Sequence, residues 1–104
     1  MNEGLKRHDS LLERLIGDIA GRYGADTTPN VFYKKGEIDG VRYAQDESLI
    51  LYEVKGRHSN KNLMKAYKQL KRAKEYYENI GVNVRAGVYV SQTKNQDYVA
   101  KRII

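Results

Sequence analysis

The sequence predicts a mixed α/β domain, with helices packed on a sheet in the order α-β-β-β-α-β. Three observations carry that expectation. Segments Leu5–Tyr23 and Leu63–Tyr77 repeat apolar residues at helical spacing. Leu49–Lys55 is apolar on both faces, as a central buried strand is. Val82–Val90 sets Val84, Ala86, Val88 and Val90 against Arg85, Gly87 and Tyr89, the alternation of a strand. The chain has 104 residues, enough for one modest core, and residues 1–104 are read as a single domain.

In the first helix, Leu12, Leu15, Ile16 and Ile19 form one stripe that Leu5 and Tyr23 extend, while Arg7, Arg14 and Asp18 take the other side. Gly24 suits its end. Thr27-Thr28-Pro29-Asn30 reads as a connector, because a residue before proline is steered away from helix. Val31–Tyr33 begins a strand, Lys34-Lys35-Gly36 turns, and Ile38–Tyr43 is a second short strand. Ala44–Ser48 is a polar turn before the apolar strand, and Gly56–Asn62 is the loop after it. In the second helix Leu63, Ala66, Tyr67, Leu70, Ala73 and Tyr77 share one side, and Asn79-Ile80-Gly81 ends it. The tail from Ser91 to Ile104 is polar and then apolar, which fits a short helix or a docking tail equally.

Composition narrows the chemistry. Hydrophobic residues make up 40% and charged residues 31%, which suits a soluble globular protein. No apolar run reaches the roughly 20 residues that span a bilayer, and no signal-peptide core follows the N-terminus, so an intracellular (cytoplasmic) location is expected. With no cysteine, thiol catalysis and cysteine zinc sites are excluded. His8 and His58 lie too far apart in sequence to suggest a ligand cluster. The remaining metal option is a hard cation on carboxylates. A net charge of +6 favours an anionic partner, nucleic acid being the usual one.

The apolar strand ends in Glu53-Val54-Lys55, and strand alternation puts Glu53 and Lys55 on one face with Leu49 and Leu51. Alone, such a triplet is ordinary in so charged a chain. Asp39 lies 14 residues upstream, in Gly36-Glu37-Ile38-Asp39-Gly40, and an antiparallel hairpin would bring it near Glu53. Asp before Gly is also common turn chemistry. Two carboxylates meeting at one point repel unless a cation lies between them. A divalent metal held there can activate water and stabilise a phosphate under attack, with a lysine beside it to steady the same charge.

From Val54 to Lys74 there are eight Lys or Arg and no Asp or Glu. Lys61, Lys65, Lys68 and Arg72, spaced 4, 3 and 4 apart, form a stripe opposite the apolar face. Like charges at such spacing cost a helix ~0.2–0.5 kcal/mol per pair, so an uncompensated stripe points to phosphates, although lysine-rich solvated faces are common. Arg57, His58 and Ser59 follow the acidic cluster and would lie at its rim. Among the nine tyrosines, Tyr23, Tyr67 and Tyr77 read as core. Tyr33, Tyr43, Tyr76 and Tyr98 read as candidates for exposure, available to stack on unpaired bases or to fill a dimer interface.

Gly36-Glu37-Ile38-Asp39 followed by Leu51-Tyr52-Glu53-Val54-Lys55 resembles the PD-(D/E)XK nuclease superfamily, and the small size and helix-first order are most similar to archaeal-type Holliday-junction resolvases. The Gly-Glu-Ile-Asp wording also resembles a bacterial family of small proteins of the same fold. The resemblance covers roughly Leu11–Val90, and Ile38 stands where the motif's proline would be. It implies a restriction-endonuclease-like core and an Mg2+- or Mn2+-dependent endodeoxyribonuclease of DNA repair and recombination. That enzyme would act on four-way junctions, as a homodimer whose two sites cut two strands. Other implied readings are a nuclease acting on ends, flaps or duplex sites, and a nucleic-acid-binding module of the same fold without catalysis. In such resolvases a glutamate on the first helix completes the metal site. Glu13 is its match here, with Asp9 in reserve, and Gln69 matches a glutamine that contacts the lysine or the metal-bound water. The implied catalytic set is thus Asp39, Glu53, Lys55, Glu13 and Gln69, with Asp39, Glu53 and Glu13 on the metal and Arg57, His58 and the helix stripe on DNA.

Overall fold

The computed structural model describes residues 10–18, 28–33, 36–95 and 97–104. Among them are two helices and five strands: α1 over 10–18, β1 Thr28–Tyr33, β2 Gly36–Tyr43, β3 Leu49–Lys55, α2 Asn60–Asn79, β4 Val84–Gln92 and β5 Tyr98–Arg102. The expected order α-β-β-β-α-β is present, with one further strand at its end. Asp9, Ile19, Tyr23, Gly24 and the Lys34-Lys35 turn lie outside the described residues.

The five strands form one sheet in chain order, antiparallel except where β4 lies parallel to β3. A parallel neighbour requires a crossover, and α2 supplies it. Alternate residues of β3 feed two cores. Ile50, Tyr52 and Val54 pack under α1 with Leu11, Leu12 and Leu15. Leu49 and Leu51 pack under α2 with Leu70 and Ala73. The central strand is buried on both faces for that reason.

Three expectations change. β1 begins at Thr28 and includes Pro29, paired with Gly40, because it is an edge strand, where a missing N–H is tolerated. In β4 the register slips: Leu49 pairs with Val84 but Ile50 pairs with Ala86. That bulge sends Val84 to the α2 core while Ala86 and Val88 face α1, so the four residues do not share one face. The tail is not a helix; it docks, and it does so as a strand. Tyr98–Arg102 pairs with β4, and Ile103 and Ile104 pack onto the α2 core.

Gly87 explains how the tail fits. A Cβ there would stand 2.4 Å from Ile104 Cγ1 and 2.7 Å from its Cδ1. The backbone holds the same contact, with Ile103 N donating to the Gly87 carbonyl at 2.9 Å.

Candidate active site at the end of the central strand

The antiparallel ladder between β2 and β3 runs from Tyr43↔Leu49 to Gly40↔Tyr52. The next pair outward is Asp39 and Glu53, and there side chains replace the ladder. Val54 N donates to Asp39 Oδ2 at 2.8 Å, and Asp39 N approaches Glu53 Oε1 at 3.4 Å. Two carboxylates thus occupy one opening of the sheet, Asp39 9% exposed and Glu53 2%.

Lys55 Nζ lies 3.4 Å from Glu53 Oε2 and donates to Gln69 Oε1 at 3.0 Å. Gln69 sits on α2 between the buried Ala66, Leu70 and Ala73 and the exposed Lys65 and Lys68. Asp39, Glu53, Lys55 and Gln69 therefore meet, as the spacing of a hairpin and a following helix demands.

Burial pushes the Glu53 carboxyl from its ordinary 4.5 to about 8. The charge of Asp39 and a hydrogen bond between the two side chains add to the rise, and Lys55 opposes it. The pair thus retains a proton at neutral pH. A hard cation would replace that proton, and the donor set, all oxygen, fits one.

Glu13 does not join this group. It is exposed on α1, which covers the Ile50–Tyr52–Val54 face of β3, whereas Glu53 projects from the other face. Among the described residues no third carboxylate or histidine gathers with Asp39 and Glu53. The structure does not bring Glu13, the expected third metal ligand, to Asp39 and Glu53, and Asp9 lies outside the described residues. A cation on Asp39 and Glu53 alone would keep its remaining positions for water and phosphate oxygens, as Mg2+ commonly does.

The loop after β3 is tied down. Ser59 Oγ accepts from Asn62 N at 3.0 Å and caps α2, and Asn62 Nδ2 donates to the Arg57 carbonyl at 2.8 Å. His58 lies between these anchors, exposed, with Nδ1 3.1 Å from the Tyr89 hydroxyl. Arg57 is exposed, and Lys61, Lys65, Lys68 and Arg72 lie exposed along the outer part of α2. The four of the stripe are on the side of that helix turned away from the sheet.

Tyr89 and Ser91 are site neighbours that the sequence did not single out. In the parallel ladder Tyr89 pairs with Glu53 and Ser91 with Lys55, and both are buried. Their signal was Tyr89 and Ser91 two apart on one strand face, but the partner strand could not be aligned without the bulge.

The chain is similar in fold to a repair endonuclease. That crystal structure, from Pyrococcus abyssi, superposes with a TM-score of 0.58 at 20% identity, over 82% of this chain and 38% of that one. The chain thus spans about two fifths of its neighbour's length. No family model matches the sequence, and no curated protein does. The likeness is one of fold, over most of this chain and the smaller part of that one.

Proposed function

We propose that this protein is a divalent-metal-dependent DNA endonuclease that hydrolyses phosphodiester bonds at the Asp39–Glu53–Lys55 cluster. The observation that carries the reading is the meeting of two buried carboxyls at the open end of a ladder, with Lys55 against Glu53 and braced by Gln69. Burying two ionisable carboxyls side by side is costly without a functional or structural return. The fold likeness to a repair endonuclease supports the same reading.

Asp39 and Glu53 would hold Mg2+ or Mn2+. Such an ion, when bound, polarises a phosphate oxygen and makes water acidic enough to attack. The Lys55 ammonium stabilises negative charge gathering on the phosphate, and Gln69 keeps it from swinging away. The stripe Lys61, Lys65, Lys68 and Arg72, with Arg57 and His58 nearer the cluster, holds DNA by its phosphates. The preferred substrate in this reading is a branched duplex, the four-way junction above all, cut by a homodimer because symmetric incision of two strands needs two sites. The motif resemblance supports both points.

A cleavage panel of duplex, single strand, flap and four-way junction, each with Mg2+ and with EDTA, tests the reading, with sedimentation to give the oligomeric state. Cutting with Mg2+ and none with EDTA is expected, strongest on the junction. Cutting that persists in EDTA would overturn the metal site, and equal cutting of all substrates would overturn junction preference.

A further inference from the structure

Tyr89 is 3% exposed and is the neighbour of Glu53 across the parallel β3–β4 ladder. Its hydroxyl meets His58 Nδ1 at 3.1 Å, and the two rings sit edge to face with centroids 5.8 Å apart. No other hydrogen-bond partner serves that hydroxyl among the described residues. Nδ1 stands within reach as an acceptor for the phenol proton, and in that arrangement Tyr89 donates and Nδ1 accepts. An imidazole that accepts at Nδ1 carries its proton on Nε2 when neutral. His58 is exposed, and its backbone is fixed between the Arg57–Asn62 hydrogen bond and the Ser59 cap. Nε2, opposite the tethered nitrogen, is therefore a ready donor at the rim of the carboxylate cluster.

We propose that Tyr89 is a positioning residue of the nuclease site: from beside Glu53 it fixes the ring and the tautomer of His58, so that His58 Nε2–H donates a hydrogen bond to a non-bridging oxygen of the bound DNA phosphate. This rests on the nuclease reading above. Because the tautomer is set by Tyr89, the donor needs no added proton. Whether the ring is neutral or cationic, Nε2 carries hydrogen.

Two amide replacements separate the ring nitrogens. Glutamine carries its amide nitrogen near the Nε2 position and asparagine carries it nearer Nδ1. With Mg2+ and junction DNA, His58→Asn and His58→Ala should each lower single-turnover cleavage about tenfold, while His58→Gln recovers most of the loss. Tyr89→Phe, which keeps the ring, should lower cleavage in the same direction and add little to His58→Ala. Nitrogen chemical shifts of the His58 ring in the free protein supply a readout independent of cleavage: the Nε2–H form in the natural protein, and a mixture of tautomers in Tyr89→Phe. Asp39→Asn is the control for the nuclease reading. If Asp39→Asn is dead while His58→Ala cuts at the natural rate, the proposal fails and the nuclease stands. The proposal fails in the same way if the natural protein shows the Nδ1–H form. If the natural protein cuts no DNA, both fall together.

Discussion

Glu53 is 2% exposed and keeps its proton to about pH 8, chiefly through burial and then through Asp39. In the unfolded chain the same carboxyl loses its proton near 4.5. Between those values the folded state binds more proton than the unfolded state, so stability falls as pH rises. Below the lower value the group costs nothing. The metal-free protein should therefore melt at progressively lower temperature from pH 4.5 to 8, and Glu53→Gln should flatten that slope. At pH 8 the variant should be more stable by ~2–4 kcal/mol, read from denaturant titrations at several pH values. A variant as pH-sensitive as the natural protein would mean that Glu53 is charged when folded. Lys55 makes a second case at this scale. Its ammonium pairs with Glu53 and Gln69, inside the cluster rather than along the helix stripe. Lys55→Ala should lower single-turnover cleavage about 100-fold with little change in DNA dissociation constant. A large loss of affinity at an unchanged rate would move Lys55 from chemistry to binding.

At the scale of the element, close approach at Gly87 decides how the tail docks. An alanine there would collide with the Ile104 side chain, and Leu70 Cβ at 3.4 Å leaves little room on the other side. Gly87→Ala should destabilise the protein by ~1–2 kcal/mol, the range for overpacking. In an Ile104→Ala background the cost should largely vanish, since the atoms in conflict are gone. Thermal denaturation of the four members of that cycle measures the coupling, and additive effects would mean that Ile104 is not the neighbour that matters. Strands and helices with a buried face were legible in sequence. β3 was legible because both faces are apolar, and α2 because Ala66, Leu70 and Ala73 recur at helical spacing. β5 was not: it is an edge strand exposed at Val99, Ala100, Lys101 and Arg102, so no alternation marks it. The bulge between Val84 and Ala86 was equally silent, since one extra residue changes which face a side chain takes without changing composition.

For the whole molecule, the part of the site that one hairpin and one crossover determine was legible: Asp39, Glu53, Lys55 and Gln69. What depends on packing between elements was not. Glu13 stands apart from that group because the face of the sheet that a helix covers is set by packing between elements, and Tyr89 was overlooked because its place follows from the β3–β4 register. Charge at the same scale sets the expectation for DNA. The chain carries a net charge of +6, and four of its cations, Lys61, Lys65, Lys68 and Arg72, line the outer side of α2 with no acid in the first turn. Lys61 and Arg72 are eleven residues apart, so the stripe runs ~16 Å along the helix axis, long enough to meet more than one phosphate. Each contact releases condensed counterions, and the logarithm of affinity then falls linearly with the logarithm of salt, by ~0.9 per phosphate on duplex DNA. Lys65→Ala/Lys68→Ala should weaken binding to unrelated sequences equally and reduce that slope by ~1–2. Unfolding will not mimic the effect, because removing like charges from a helix relieves repulsion and alanine favours helix. Titrations across a salt series give the slope directly. An unchanged slope would show that the outer side of α2 faces water and that DNA approaches the carboxylate cluster from another side.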